Sequence, residues 1–264
     1  MCNYLARAVV FAALLATAAC GGTLGDVPDN IPNPDRFLFD LGNEAMKEER
    51  WLDAREYFRQ VVDNYPQSPL RPEAKLGIGD AHYGEDTAES LVLAANEYRE
   101  FMTFYPTNPR ADYAQYKLAM THFEQMKASE RDQTETQAAL AEFQVFFDRF
   151  SNPPSPLLTE ARQKWREARD RLSEASFRIG LYYFRIEWYP GAISRFREVL
   201  KVDPEFTGRD QVYYYLAESL ARTKNTAEAI PYFERLLKEF SESEHLEDAR
   251  IRLAELQTTL PVNP

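Results

Sequence analysis

A small residue followed four places later by an aromatic recurs five times along this chain of 264 residues: Ala54 with Phe58, Ala94 with Tyr98, Ala139 with Phe143, Ala192 with Phe196, and Ala229 with Phe233. Ahead of each stands a second unit, an apolar residue beside Gly or Ala with a packing residue three places on. The examples are Leu41-Gly42-Ala45, Ile78-Gly79-His82, Leu118-Ala119-His122, Ile179-Gly180-Tyr183 and Leu216-Ala217-Leu220. The step from the small residue to the following alanine is 12 residues in three repeats, 15 in the second and 20 in the third. The step from that alanine to the next small residue is 25 residues three times and 41 once. Self-similarity of this period belongs to chains that stack one helical or stranded unit on the next.

The period inside each unit is helical. Ala54, Tyr57, Phe58, Val61, Val62 and Tyr65 fall on one stripe of a helix, and Pro66, Pro106 and Pro204 end the helices they follow. Only 10 residues are glycine, and the alternation of β-branched residues expected of strands is missing. The pattern predicts an all-α fold of paired helices, with the small residue of each first helix letting its neighbour come close. The 41-residue interval holds 16 extra residues. Its segment Leu157 to Leu172 is amphipathic through Leu158, Ala161, Trp165, Ala168 and Leu172, and no Pro or Gly separates it from Phe177. It therefore predicts one helix from Leu157 to about Phe184, roughly 40 Å long. Glu244 to Leu256 reads as a closing helix over the open end of the stack.

The first residues have a different character. Arg7 precedes an apolar run from Ala8 to Ala19, too short to span a bilayer but suited to a secretory signal. The run ends at Thr17-Ala18-Ala19-Cys20-Gly21, which resembles a lipobox in which Cys20 is acylated and becomes the mature N-terminus. An ordinary signal cut after Ala18 or Ala19 is the alternative. The other cysteine, Cys2, lies inside the signal, so the folded part has none for disulfides or a Cys-based metal site. Gly21 to Asp35 is rich in Gly, Pro, Asn and Asp and reads as a tether reaching at most roughly 50 Å. The expected organisation is a signal over 1–19, lipidated cysteine and tether over 20–35, repeats one to three over 36–156, and the linking helix, repeats four and five and the closing helix over 157–264. The net charge of −11, which becomes −12 without Arg7, argues against nucleic acid and against docking on anionic lipid through a basic patch. Membrane attachment would come from the lipid.

Catalytic chemistry has little to stand on. His82 and His122 share one repeat position between helices, and with His245 they lack metal-ligand spacing. The acidic runs at Glu48-Glu49 and Glu242 to Asp248 read as solvated faces, and no phosphate loop, nucleophile elbow or Cys/His pair is present. No enzyme activity and no cofactor beyond the lipid on Cys20 are expected. Repeat register places Phe39, Asn43 and Met46, then Leu76, Asp80 and Tyr83, then Tyr113, Tyr116, Met120 and Phe123 on the concave side. Two explanations stand for their apolar character: packing against adjacent repeats, or a peptide groove of aromatics and adaptable methionine. Gln211, Tyr214 and Glu218 give repeat five a more polar surface.

Paired helices with Leu-Gly in the first, Ala and Phe in the second and a closing Pro resemble the tetratricopeptide repeat (TPR) over residues 36–256. That resemblance implies a right-handed superhelical solenoid of five TPR pairs with a C-terminal capping helix. With the lipobox, Tyr65-Pro66-Gln67-Ser68-Pro69, the 129–133 segment Ser-Glu-Arg-Asp-Gln and the linking helix, the chain resembles the BamD family of outer-membrane assembly lipoproteins. This implies a lipid-anchored scaffold on the periplasmic face of the outer membrane, within the β-barrel assembly (BAM) machinery. The implied partners are the POTRA domains of a BamA-type barrel protein, the C-terminal segments of unfolded outer membrane proteins, and accessory BAM lipoproteins. A pilotin that escorts a secretin is the competing scaffold. A cell-wall hydrolase is the competing enzyme, for which repeats and tether leave no catalytic domain.

Overall fold

The computed structural model describes residues 31–259; the signal, Cys20 and most of the tether lie outside them. The described residues form eleven α-helices: α1 Pro34–Lys47, α2 Trp51–Asn64, α3 Arg71–Glu85, α4 Ala88–Phe104, α5 Ala111–Glu124, α6 Thr134–Phe150, α7 Leu158–Arg185, α8 Tyr189–Val202, α9 Arg209–Arg222, α10 Thr226–Glu239 and α11 Leu246–Thr259. Helices α1 to α10 are the five pairs of the sequence repeat, and α11 is the closing helix. The linking segment and the first helix of repeat four are one helix of 28 residues. Two compact units divide the chain, one ending at Gly77 and one beginning at Ile78, so the boundary falls within α3.

The register follows from close approach. A β-carbon added at Gly42 would lie 2.6 Å from the ring of Phe58, and one at Gly180 would lie 2.6 Å from the ring of Phe196. Both rings are buried, at 1% and 0% exposure. In these repeats the small residue of the first helix is therefore the floor on which the aromatic of the second helix lies. Gly180→Leu is expected to cost roughly 1–3 kcal/mol by overpacking this contact, read as a lower melting temperature in thermal denaturation. An unchanged melt would remove the proposed register.

Two further devices repeat in step with the small residue. The turn inside a pair is closed by a residue with left-handed φ seven places beyond it: Glu49 (56°), Asp86 (51°), Glu187 (61°) and Lys224 (65°). In repeats one, four and five the next N–H then reaches back five residues, Arg50 to Ala45, Trp188 to Tyr183 and Asn225 to Leu220, at 2.9 Å each. This ties off the otherwise unpaired carbonyls of the helix end. Between pairs, a serine hydroxyl donates to an aspartate seven places before the small residue: Ser68 to Asp35 at 2.6 Å, Ser155 to Asp112 at 2.6 Å and Ser243 to Asp210 at 2.7 Å. The same oxygens accept from the N–H two residues on, starting the next helix. In repeat four the helix supplies the serine, Ser173, which donates to Asp203 at 2.5 Å.

Within the second unit the core has two apolar clusters joined by α7. One contains Phe177, Phe196, Tyr213, Leu216, Phe233, Leu236, Ala249 and Leu256, from repeats four and five and α11. The other contains Tyr116, Ala119, Met120, Phe123, Ala139, Phe143 and Phe146 of repeat three together with Ala161 and Ala168 of α7. Leu158 and Trp165 of α7 pack against the latter. The stripe of Leu158, Ala161, Trp165 and Ala168 thus finds its partner on α5 and α6. Arg178 of α7 also pairs with Glu130 in the long turn of repeat three, at 2.7 Å.

Candidate functional site

The groove candidates fall in both units. In the first, Phe39 is partly buried with its ring 5.6 Å from that of Phe58, and Leu76 is buried at 3% exposure. Asn43 and Met46 line an open depression with Asp40, Glu44, Lys47 and Glu48. In the second unit Tyr83, Tyr113, Tyr116, Met120 and Phe123 come together where the end of α3, α5 and the start of α7 converge.

Their exposure differs from expectation. Leu76, Tyr116, Met120 and Phe123 are core residues, the last three at 7%, 6% and 9% exposure, and of the two explanations packing holds for them. The physical reason for these three is α7, whose apolar stripe needs burial and covers the α5 face that the repeats alone would leave open. Tyr83 and Tyr113 remain partly exposed.

Around these rings runs a charged network. Asp80 accepts from Tyr98 at 2.6 Å and from Tyr113 at 2.9 Å, both on Oδ1. Tyr83 donates to Glu124 at 3.0 Å, and Tyr116 donates to Glu160 of α7 at 2.8 Å. Lys117 places Nζ 3.0 Å from the centre of the Tyr83 ring. The Arg110 guanidinium lies 4.4 Å over Tyr113, and Lys164 Nζ lies 4.7 Å over Phe123.

Burial dominates the electrostatics. It pushes the Asp80 carboxyl above its ordinary pKa, against the hydrogen bond from Tyr98 and the charge of Lys117. It raises the phenols of Tyr83, Tyr98, Tyr113 and Tyr116 too, assisted by the carboxylates they donate to. Lys117 is pulled down to about 8 by burial, although Asp80, Glu124 and Glu160 act in the opposite direction. Strongly shifted groups converging on a partly open face are a frequent mark of a functional site. Rings, phenols and one under-compensated cation give this face the means to bind an extended chain.

Two features carry no signal that the sequence motifs single out. One is the set of charges Lys117, Glu124 and Glu160. The other is a row of apolar residues, Ile179 and Tyr182 on the second half of α7, continued past its end by Ile186 and Trp188, at 46%, 59%, 53% and 53% exposure. Its signal was present as apolar residues three and four apart on the side of α7 away from Phe177 and Gly180. The histidines take packing roles. His82 is buried, His122 bridges Glu135 at 2.7 Å and Arg99 at 3.1 Å, and His245 stacks on Tyr214 with ring centres 4.3 Å apart.

Residues 32–219 match the family profile YfiO, outer membrane lipoprotein, and residues 211–243 match a tetratricopeptide repeat profile. The outer membrane protein assembly factor BamD of Caulobacter vibrioides is 30% identical over 217 residues, covering 80% of this chain and 69% of that protein. BamD of Vibrio cholerae is 26% identical over 189 residues, covering 67% of this chain and 76% of that protein. BamD of Pasteurella multocida is 23% identical over 261 residues, covering 94% and 88%.

Proposed function

We infer the function from one premise: the chain belongs to the outer membrane lipoprotein family that includes the assembly factor BamD. Membership places it with the outer membrane and with the assembly of outer membrane proteins. Beyond that, we propose a scaffold anchored by lipid on Cys20 to the periplasmic face of the membrane. It holds the POTRA domains of the barrel subunit and takes the C-terminal segments of unfolded barrel proteins. The observation that carries the substrate role is the α3–α5–α7 face, where Tyr83 and Tyr113 are partly exposed beside a charged network. Rigid aromatics with polar edges are the residues that dominate peptide contacts. The α7 row of Ile179, Tyr182, Ile186 and Trp188 is the surface assigned to the barrel subunit, since contiguous exposed apolar residues mark partner sites.

The two roles separate in one experiment. Tyr83→Ala with Tyr113→Ala is expected to weaken binding of a C-terminal barrel peptide about tenfold, the equivalent of about 1.4 kcal/mol, and to leave co-purification of the barrel subunit intact. Ile186→Asp with Trp188→Asp is expected to do the reverse. Peptide affinity unchanged in the first variant removes the substrate face. Undiminished co-purification in the second removes the α7 row.

A further inference from the structure

We propose that Lys117 is the residue on which a carboxylate of the bound segment seats, making the α3–α5–α7 face selective for a chain that carries an anion. The inference rests on the substrate reading of that face and adds its chemical selectivity. The carboxylate has two sources, the free C-terminus of the segment or an Asp or Glu side chain within it.

The surroundings of Lys117 argue for an anion. The nearest carboxylates are each engaged by a phenol: Asp80 by Tyr98 and Tyr113, Glu124 by Tyr83 and Glu160 by Tyr116. They act on Lys117 through space, and its close contact among the described residues is the face of the Tyr83 ring. A cation over a ring keeps much of its capacity to donate, because the ring supplies no acceptor lone pair. The balance of charge points the same way. Burial pulls the ammonium down to about 8 even with three carboxylates nearby, so the counter-charge present does not offset its desolvation. An incoming carboxylate would supply that charge together with a charge-assisted hydrogen bond. A cationic ligand has the weaker claim, since the Lys117 ammonium already holds the face of the Tyr83 ring and would repel it.

The other charges facing this point are Asp80 from α3, Arg110 at the start of α5, Glu124 from α5, and Glu160 and Lys164 from α7. Lys164 already pairs with Glu167 at 3.2 Å, which leaves Lys117 and Arg110 as the cations for the ligand, and of the two Lys117 is the partly buried one while Arg110 is exposed. Carboxylate binding favours the protonated amine, so affinity for the anion should fall as pH rises through about 8.

The test uses the full-length mature protein in detergent and a ten-residue peptide ending in alternating aromatic and polar residues. Three forms are titrated at pH 7: the free acid, the C-terminal amide, and the free acid with its Asp and Glu residues changed to Asn and Gln. The wild-type protein is expected to bind one of the modified forms about tenfold more weakly than the free acid. Loss on amidation assigns the terminal carboxylate, and loss on the side-chain change assigns the internal one. Lys117→Met is expected to bind all three forms alike at the weaker level, and Lys117→Arg to regain part of the preference. Equal binding of all three forms by the wild-type protein overturns the proposal alone, as does a preference undiminished in a folded Lys117→Met. Failure of every form to bind removes the substrate reading and the proposal with it. The wild-type comparison decides without any variant having to fold.

Discussion

Replacing Asp203 by alanine is expected to cost about 3–5 kcal/mol, the usual effect of removing one partner from a buried, hydrogen-bonded charge pair. The Asp203 side chain is 4% exposed. It accepts from Arg166 through both oxygens and from Ser173 at 2.5 Å, with Arg169 3.9 Å away. Arg166 also donates to Asp170 at 2.8 Å, and Asp170 accepts the N–H of Thr207 at 3.1 Å. The turn after α8 is thereby clasped to the middle of α7, between the two apolar clusters that this helix joins. Alanine would leave the buried Ser173 hydroxyl without its acceptor and Arg166 with Asp170 alone.

In thermal denaturation the melting temperature should fall by about 10 °C, at roughly 2–4 °C per kcal/mol for a chain of this size. The difference should depend on pH in a defined direction. Burial pushes the Asp203 carboxyl up, but Arg166 and Ser173 outweigh burial and hold it below its ordinary value. A carboxyl held lower in the folded state stabilises above its unfolded pKa of about 3.9 and loses that contribution as pH falls through the folded value. Wild type and variant should therefore converge in melts below about pH 4. A gap under about 1 kcal/mol at pH 7 would mean that apolar packing alone fixes α7.

What could be read from the sequence was whatever a repeat enforces on every copy. Close approach of two helices demands Gly or Ala, so Gly42, Gly79 and Gly180 announced their positions under Phe58, Tyr98 and Phe196. The absence of Pro and Gly between Leu157 and Phe177 likewise announced α7. The turn residues were silent because Glu49, Asp86, Glu187 and Lys224 adopt left-handed φ without the glycine that usually signals it. The Ser–Asp clasps join residues 33 or 43 apart, beyond the reach of any local pattern. The site was half legible for a related reason. Helical periodicity gives the direction in which Tyr116, Met120 and Phe123 point, but it does not say that α7 lies there to receive them. Lys117 was missed because its chemistry comes from burial beside Tyr83, Asp80 and Glu160, which three different helices bring together.

The double variant Tyr116→Ala with Phe123→Ala is expected to unfold or nearly unfold the second unit, rather than to yield a folded protein with a damaged groove. The ring of Tyr116 lies 6.2 Å from that of Phe143 and 6.3 Å from that of Phe146, and Phe123 meets Phe143 edge-on at 6.5 Å. Phe143 and Phe146 are fully buried, so truncation would strip both rings of aromatic contacts and open a cavity beneath α7. One buried aromatic replaced by alanine costs about 3–5 kcal/mol. Because both rings rest on Phe143, the pair need not add, but a combined loss above about 5 kcal/mol consumes most of an ordinary domain's stability. Circular dichroism on heating should show the cooperative transition lowered steeply or abolished. Tyr116→Phe, which removes only the hydrogen bond to Glu160, should cost about 1 kcal/mol. The contrast with Tyr83 and Tyr113 is the informative part: their partial exposure lets truncation weaken binding while the fold persists. A double variant that melts like wild type and loses peptide binding would instead return Tyr116 and Phe123 to the open face, and α7 would then have to stand away from α5 in solution.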